Sequence, residues 1–153
     1  MAVALAILAG CGETRPVAPV LPPPAPVNGK ATLSDDEWRA RLTPLAYAVL
    51  REKQTELAFT GRYDKHYEPG VYRCAGCNNA LFSSKQKFDS RTGWPSFTEP
   101  AAPESVYTHS TDREEVLCAR CDGHLGHVFP AGPPPSGLRY CINSAALRFE
   151  AAN

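Results

Sequence analysis

The sequence predicts a mainly β fold: two packed antiparallel sheets, with short helices ahead of them. Three observations carry this. After Gly61, short apolar runs ("GVYRC", "ALFSS", "SVYTH", "EVLC", "GHVFP", "LRYCIN", "ALRFE") alternate with Gly, Pro, Asn and Ser, the texture of strands joined by turns. Helical signals are confined to the stretch before Gly61. No repeat period stands out, so the strands are expected in two layers that bury one shared core.

The helices come first along the domain. In "SDDEWRARL", Ser34 and Glu37 stand at capping-box spacing, and a short helix starts there. "TPLAYAVLREKQTE" follows, with Thr43 as the cap and Pro44 at the first helical position. Leu45, Val49 and Leu50 fall at helical spacing and are expected to face the core.

The 153 residues suffice for one domain with a real core, and composition divides the chain in three. Residues 1–11 are small and apolar, and "LAGC" (Leu8 to Cys11) has the form of a bacterial lipoprotein cleavage box. That predicts a signal segment and a lipid on Cys11, tethering the protein on the periplasmic side of a bacterial cell envelope. The apolar stretch is short and has no Lys or Arg before it. A plain tail on a cytoplasmic protein is therefore the competing reading. Residues 12–31 are rich in Pro and Ala and read as a disordered, semi-rigid tether. The folded domain is expected over 32–153.

Sixteen basic and sixteen acidic residues balance, with no basic block. Nucleic-acid affinity depends on neutralising phosphates, so this composition argues against nucleic acid as a partner. No apolar run reaches the roughly 18 residues of a membrane-spanning helix.

Cysteines carry the chemistry. Four of the six form two CxxC pairs, Cys74 with Cys77 and Cys118 with Cys121. Such pairs serve as metal knuckles, redox dithiols or disulfides. Small or polar residues between the cysteines favour tight turns, and two such turns complete a closed tetrahedral site. One structural Zn²⁺ per chain is the favoured expectation. The spacer, 78–117, is too long for a compact zinc ribbon and must itself be folded. His124 and His127 in "CARCDGHLGH" would also permit a mixed site, but four cysteines already fill a tetrahedron. Cys141 then has no partner: it is either a buried apolar residue or a reactive thiol. His124, His127 and Asn143 favour the thiol, because a thiolate nucleophile needs a proton partner and fixed polar contacts.

In this order, "GVYRCAGC", "LFSSKQKFDSRTGWPSF", "EVLCARCDGHLGHVF" and "GLRYCINSAALRF" closely resemble the B-type methionine sulfoxide reductases, from about Trp38 to Phe149. The resemblance implies two antiparallel sheets, a four-cysteine zinc away from the active site, and reduction of the R epimer of methionine sulfoxide in proteins. It places the nucleophile at Cys141, with His127 and Asn143 as further catalytic residues. Trp94, His124 and Phe97 fall where the substrate would bind. A monomer regenerated by a thioredoxin-like or other dithiol is expected. Two departures stand out. Many members carry a resolving cysteine immediately before "GWPSF", where this chain has Thr92. The loop from Pro100 to Arg113 is also shorter than usual. The competing functions are a zinc-ribbon-like interaction module without catalysis, and a cysteine–histidine enzyme of another type, such as an acyl transferase.

Overall fold

The computed structural model describes residues 29–110 and 112–153. The stretches expected to hold a signal segment, a lipid on Cys11 and most of a tether lie outside the described residues. Ordered contacts start slightly earlier than Thr32, since the Ala31 N–H already donates to the Arg120 carbonyl at 2.6 Å.

Helix α1 (Asp35–Arg41) opens on the expected capping box, with reciprocal bonds between Ser34 and Glu37. Helix α2 (Pro44–Glu52) is capped by the Thr43 hydroxyl, which accepts from the Ala46 N–H. It ends at Lys53 in the left-handed region. Val49 and Leu50 are buried together with Ala46 and Tyr47, whereas Leu45 is 53% exposed. This corrects the expectation for Leu45. At 3.6 residues per turn it lies about 120° from the centre of the buried stripe.

Nine strands follow among the described residues: β1 (Gly70–Cys74), β2 (Ala80–Ser83), β3 (Lys87–Phe88), β4 (Ser96–Phe97), β5 (Val106–Ser110), β6 (Glu114–Cys118), β7 (His124–Phe129), β8 (Arg139–Ile142) and β9 (Leu147–Ala151). They form two antiparallel sheets, ordered β2-β1-β9 and β3-β4-β8-β7-β6-β5. All seven apolar runs became strands. The two-residue β3 and β4 were not expected, because a pair of residues has no periodicity to read.

Aromatic rings join the sheets. Phe82 of β2 stacks on Phe97 of β4 at 4.4 Å between centroids, and Tyr72 of β1 meets Phe97 edge-on at 5.1 Å. All three are fully buried. Such rings bury large apolar areas and gain further from offset and edge contacts. The core therefore runs between the sheets, and the two helices pack beside the CxxC turns.

Candidate active site and metal site

The CxxC turns follow one pattern. After each second cysteine comes a residue with positive φ, Asn78 (63°) or Asp122 (56°). Its N–H bonds back to the carbonyl of the first cysteine at 2.9 Å in both cases. The first cysteine's own N–H is also held, by Asn79 O for Cys74 and Gly123 O for Cys118. Each turn thus aims two thiols the same way. The four Sγ atoms lie within 4.8 Å of one another and all four side chains are buried. Cys74 to Cys121 is 3.7 Å, and Cys77 to Cys118 is 3.6 Å. Tetrahedral Zn²⁺ with Zn–S near 2.3 Å requires sulfurs about 3.8 Å apart, so the donor set fits that ion. Hydrogen bonding to Cys118 pushes Cys74 and Cys121 up. Thiols this close cannot all ionise unless a cation is present.

The second site forms where β8 lies between β4 and β7. Cys141 pairs directly with His127 on one side and Ser96 on the other. Direct antiparallel partners share a face, with Cβ atoms about 4.5–5.5 Å apart. His124 and His127 are three residues apart, which on a regular strand sets side chains on opposite faces. A register shift removes that difference: Val116 pairs with Gly126 but Leu117 with His124, so Leu125 is an extra residue. Both histidines therefore share one face, with ring centroids 5.3 Å apart. Gly126 is required at this point for a separate reason. A Cβ there would lie 2.1 Å from the Cys141 carbonyl oxygen.

Cys141, His127 and Asn143 line one cleft of about 100 Å³ together with Trp94, Thr55, Arg113, Gly126 and Phe129. A model of the SelR domain matches residues 42–151. Peptide methionine sulfoxide reductase MsrB of Bradyrhizobium diazoefficiens is 57% identical over 128 residues, covering 80% of this chain and 92% of the relative. The same-named protein of Thiobacillus denitrificans is 58% identical over 122 residues, covering 76% and 92%. That of Leptospira interrogans is 49% identical over 129 residues, covering 81% and 98%.

The chain belongs to the B-type methionine sulfoxide reductase family.

As a B-type methionine sulfoxide reductase it has a cleft set by a few buried bonds. Asn143 is 3% exposed. Its Oδ1 accepts from the Glu56 N–H at 3.0 Å, and its Nδ2 donates to the Leu125 carbonyl at 3.0 Å. A donor on one side and an acceptor on the other fix the amide orientation. Trp94 donates its Nε1–H to the Glu56 carbonyl at 3.2 Å. Burial pushes the Cys141 thiol up, against the pull of Arg139 and the Thr92 hydroxyl. Burial also lowers His127, helped by His124 and Arg113.

Two of the expected substrate contacts lie elsewhere. Phe97 is fully buried in the aromatic seam between the sheets and does not reach the cleft. Its side of β4 faces the three-stranded sheet. His124 is 2% exposed and stands behind His127. Its Nδ1 lies 2.8 Å from Glu115 Oε1, and Lys53 Nζ is 3.0 Å from Glu115 Oε2. Burial would raise Glu115, but the bonds from Lys53 and His124 outweigh it and keep the carboxyl low. An ionised carboxylate only accepts, so His124 carries its proton on Nδ1. His124 Nε2 is buried and finds no hydrogen-bond partner.

The cleft residues that sequence reading missed are Thr55, Arg113, Gly126 and Phe129. Arg113 sits in "DREE", which reads as a solvated charge run. Thr55 lies in a polar segment after a helix. Neither carries a local signal, because the cleft is assembled from distant parts of the chain.

Proposed function

We propose that this protein reduces the R epimer of methionine sulfoxide in proteins to methionine, with Cys141 as nucleophile and His127 as proton carrier. The observation that supports it best is the direct pairing of Cys141 with His127 inside a cleft walled by Trp94. At neutral pH the raised thiol holds its proton and the lowered imidazole is neutral. The thiol proton passes to His127 as the sulfur attacks the sulfoxide sulfur. His127 then delivers that proton to the sulfoxide oxygen. The oxygen then passes from the substrate sulfur to the Cys141 sulfur. A new sulfur–oxygen bond forms on Cys141 as the substrate's sulfur–oxygen bond and the bond between the two sulfurs break. Methionine leaves, and Cys141 is left as a sulfenic acid. The second Nδ2 hydrogen of Asn143 is available to the same oxygen. Trp94 offers an apolar wall to the substrate methyl group, which selects the epimer.

Regeneration uses an external dithiol. Thr92 stands beside Cys141 and cannot form a disulfide. The other four described cysteines belong to the buried cluster. One thiol of a thioredoxin-like donor attacks the sulfenic acid, releasing water, and its second thiol resolves the mixed disulfide. Zinc, when bound, would cross-link the two CxxC turns and take no part in this chemistry. The lipid on Cys11 and a periplasmic, membrane-tethered location belong to the same proposal. Membrane fractionation of the chain and of Cys11→Ala tests them.

The reaction is tested with separated R and S epimers and dithiothreitol. Turnover of the R epimer alone, lost in Cys141→Ser, is expected. Equal turnover of both epimers, or an active Cys141→Ser protein, would refute it. After one turnover without reductant, dimedone should label Cys141. An internal disulfide at that stage would refute the regeneration scheme.

A further inference from the structure

Glu56 is a buried carboxylate, 4% exposed, that no step above uses. It lies in the segment leaving α2, next to Thr55 of the cleft wall, and its polar groups point three ways. The main-chain N–H donates to Asn143 Oδ1 at 3.0 Å. The main-chain carbonyl accepts from Trp94 Nε1 at 3.2 Å. The carboxylate accepts from the Ser144 N–H at 2.7 Å and the Ala145 N–H at 2.9 Å.

We propose that Glu56 is a positioning residue that sets Trp94 and Asn143 against Cys141 in a single geometry. The inference rests on the reading of Trp94 and Asn143 as substrate-facing groups. Trp94 and Asn143 come from separate parts of the chain, and one residue's backbone spans both. Such a backbone in a connecting segment holds its place only if it is anchored. The carboxylate anchors it to the 3₁₀ turn Ser144–Ala146, which directly follows Asn143. Bonds from backbone N–H groups to an ionised carboxylate are short and strong. Gly61 leaves the room for it, since a Cβ there would lie 2.5 Å from Glu56 Oε1 and 2.3 Å from Ser144 Oγ. Activation of the nucleophile does not account for Glu56. Its charge works against ionisation of Cys141.

Misplacing a reacting or orienting group by about 1 Å can cost on the order of 100-fold in rate. The test uses Glu56→Ala and Glu56→Gln in the full chain with zinc content verified. Steady-state kinetics on both epimers of N-acetylmethionine sulfoxide, with dithiothreitol, are measured beside acrylamide quenching of tryptophan fluorescence. Trp38 is 2% exposed, so quenching reports on Trp94. Glu56→Ala is expected to increase quenching, lower kcat/KM for the R epimer about tenfold or more with a rise in KM, and narrow the preference for R over S. Cys141 alkylation by iodoacetamide should not slow, since loss of the Glu56 charge favours the thiolate. Glu56→Gln keeps one acceptor and should fall between. Should Glu56→Ala not fold, Glu56→Gln and Gly61→Ala carry the same comparison. Unchanged quenching and unchanged epimer preference in a folded variant, whatever its melting temperature, would overturn the inference. Quenching needs no turnover, so an inactive wild-type protein would sink the proposed activity and still leave Glu56 decidable.

Discussion

Cys141 and His127 are shifted in opposite directions by the same cause, burial, which disfavours the charged form of each. The thiol lies above its ordinary 9.0 and the imidazole below its ordinary 6.5. Alkylation of Cys141 by iodoacetamide should therefore rise with pH through a midpoint above 9.0, measured by mass spectrometry across a pH series. A rate already at its plateau at neutral pH would contradict the thiol–imidazole ground state. Activity should hold through neutral pH and fall on the acid side only below 6.5, where His127 takes up a proton before it can accept one. At the neighbouring position, Thr92→Cys should form an internal disulfide with Cys141 after one turnover. Intact mass under non-reducing conditions reads it. The disulfide needs Cα atoms within about 7 Å, so its failure to form would place Thr92 too far away.

The elements turn residue types into a site by their register. The extra residue at Leu125 brings His124, His127 and Glu115 to one face of β6 and β7. The missing side chain at Gly126 lets β7 approach β8. Gly126→Ala should push the two strands apart and lower kcat/KM by about 100-fold while zinc content is kept. Metal analysis beside kinetics separates this from unfolding. Glu115 supports the same face from below. Lys53 is 61% exposed, so its share of the ion pair is screened. The contact with His124 is buried on both sides. Glu115→Ala should cost about 2 kcal/mol, read by urea titration, because it leaves a buried imidazole N–H without an acceptor. Since Glu115 is held low, its contribution is present above its ordinary 4.5 and is lost as pH falls further.

At the scale of the molecule, the four-cysteine cluster and the aromatic seam both join the two sheets. Cys74 ends β1 of the smaller sheet and Cys118 ends β6 of the larger. An ion held by all four thiolates would cross-link them. Trp38 and Leu50 close over the knuckles, so the helices share that anchor: a Cβ on Gly76 would lie 3.2 Å from Trp38, and one on Gly123 would lie 2.9 Å from Leu50. Cys74→Ser or Cys118→Ser should lose zinc and lower the melting temperature, because metal binding and folding are linked. Metal analysis and a thermal melt check this. Full zinc occupancy and unchanged stability in either variant would disprove the four-cysteine site.

The sequence by itself determined the β character, both helix starts, the seven longer strands and the cysteine cluster. Each rests on a local signal: alternation, a cap, or the CxxC spacing. It also singled out Cys141, His127, Asn143 and Trp94, which the fold gathers into one cleft. Tertiary structure decided the rest. Phe97 sits in a motif shared with Trp94, yet strand pairing turns it into the core. His124 has the same residue type as His127, but its place beside Glu115 buries it behind the cleft. Glu56 lies in an unremarkable polar segment, and it gains a role only because folding brings it against residues 87 to 89 positions away. Local sequence fixes which residues can do chemistry. Register and packing decide which of them meet, because a shift of one residue along a strand reverses the face that every side chain presents.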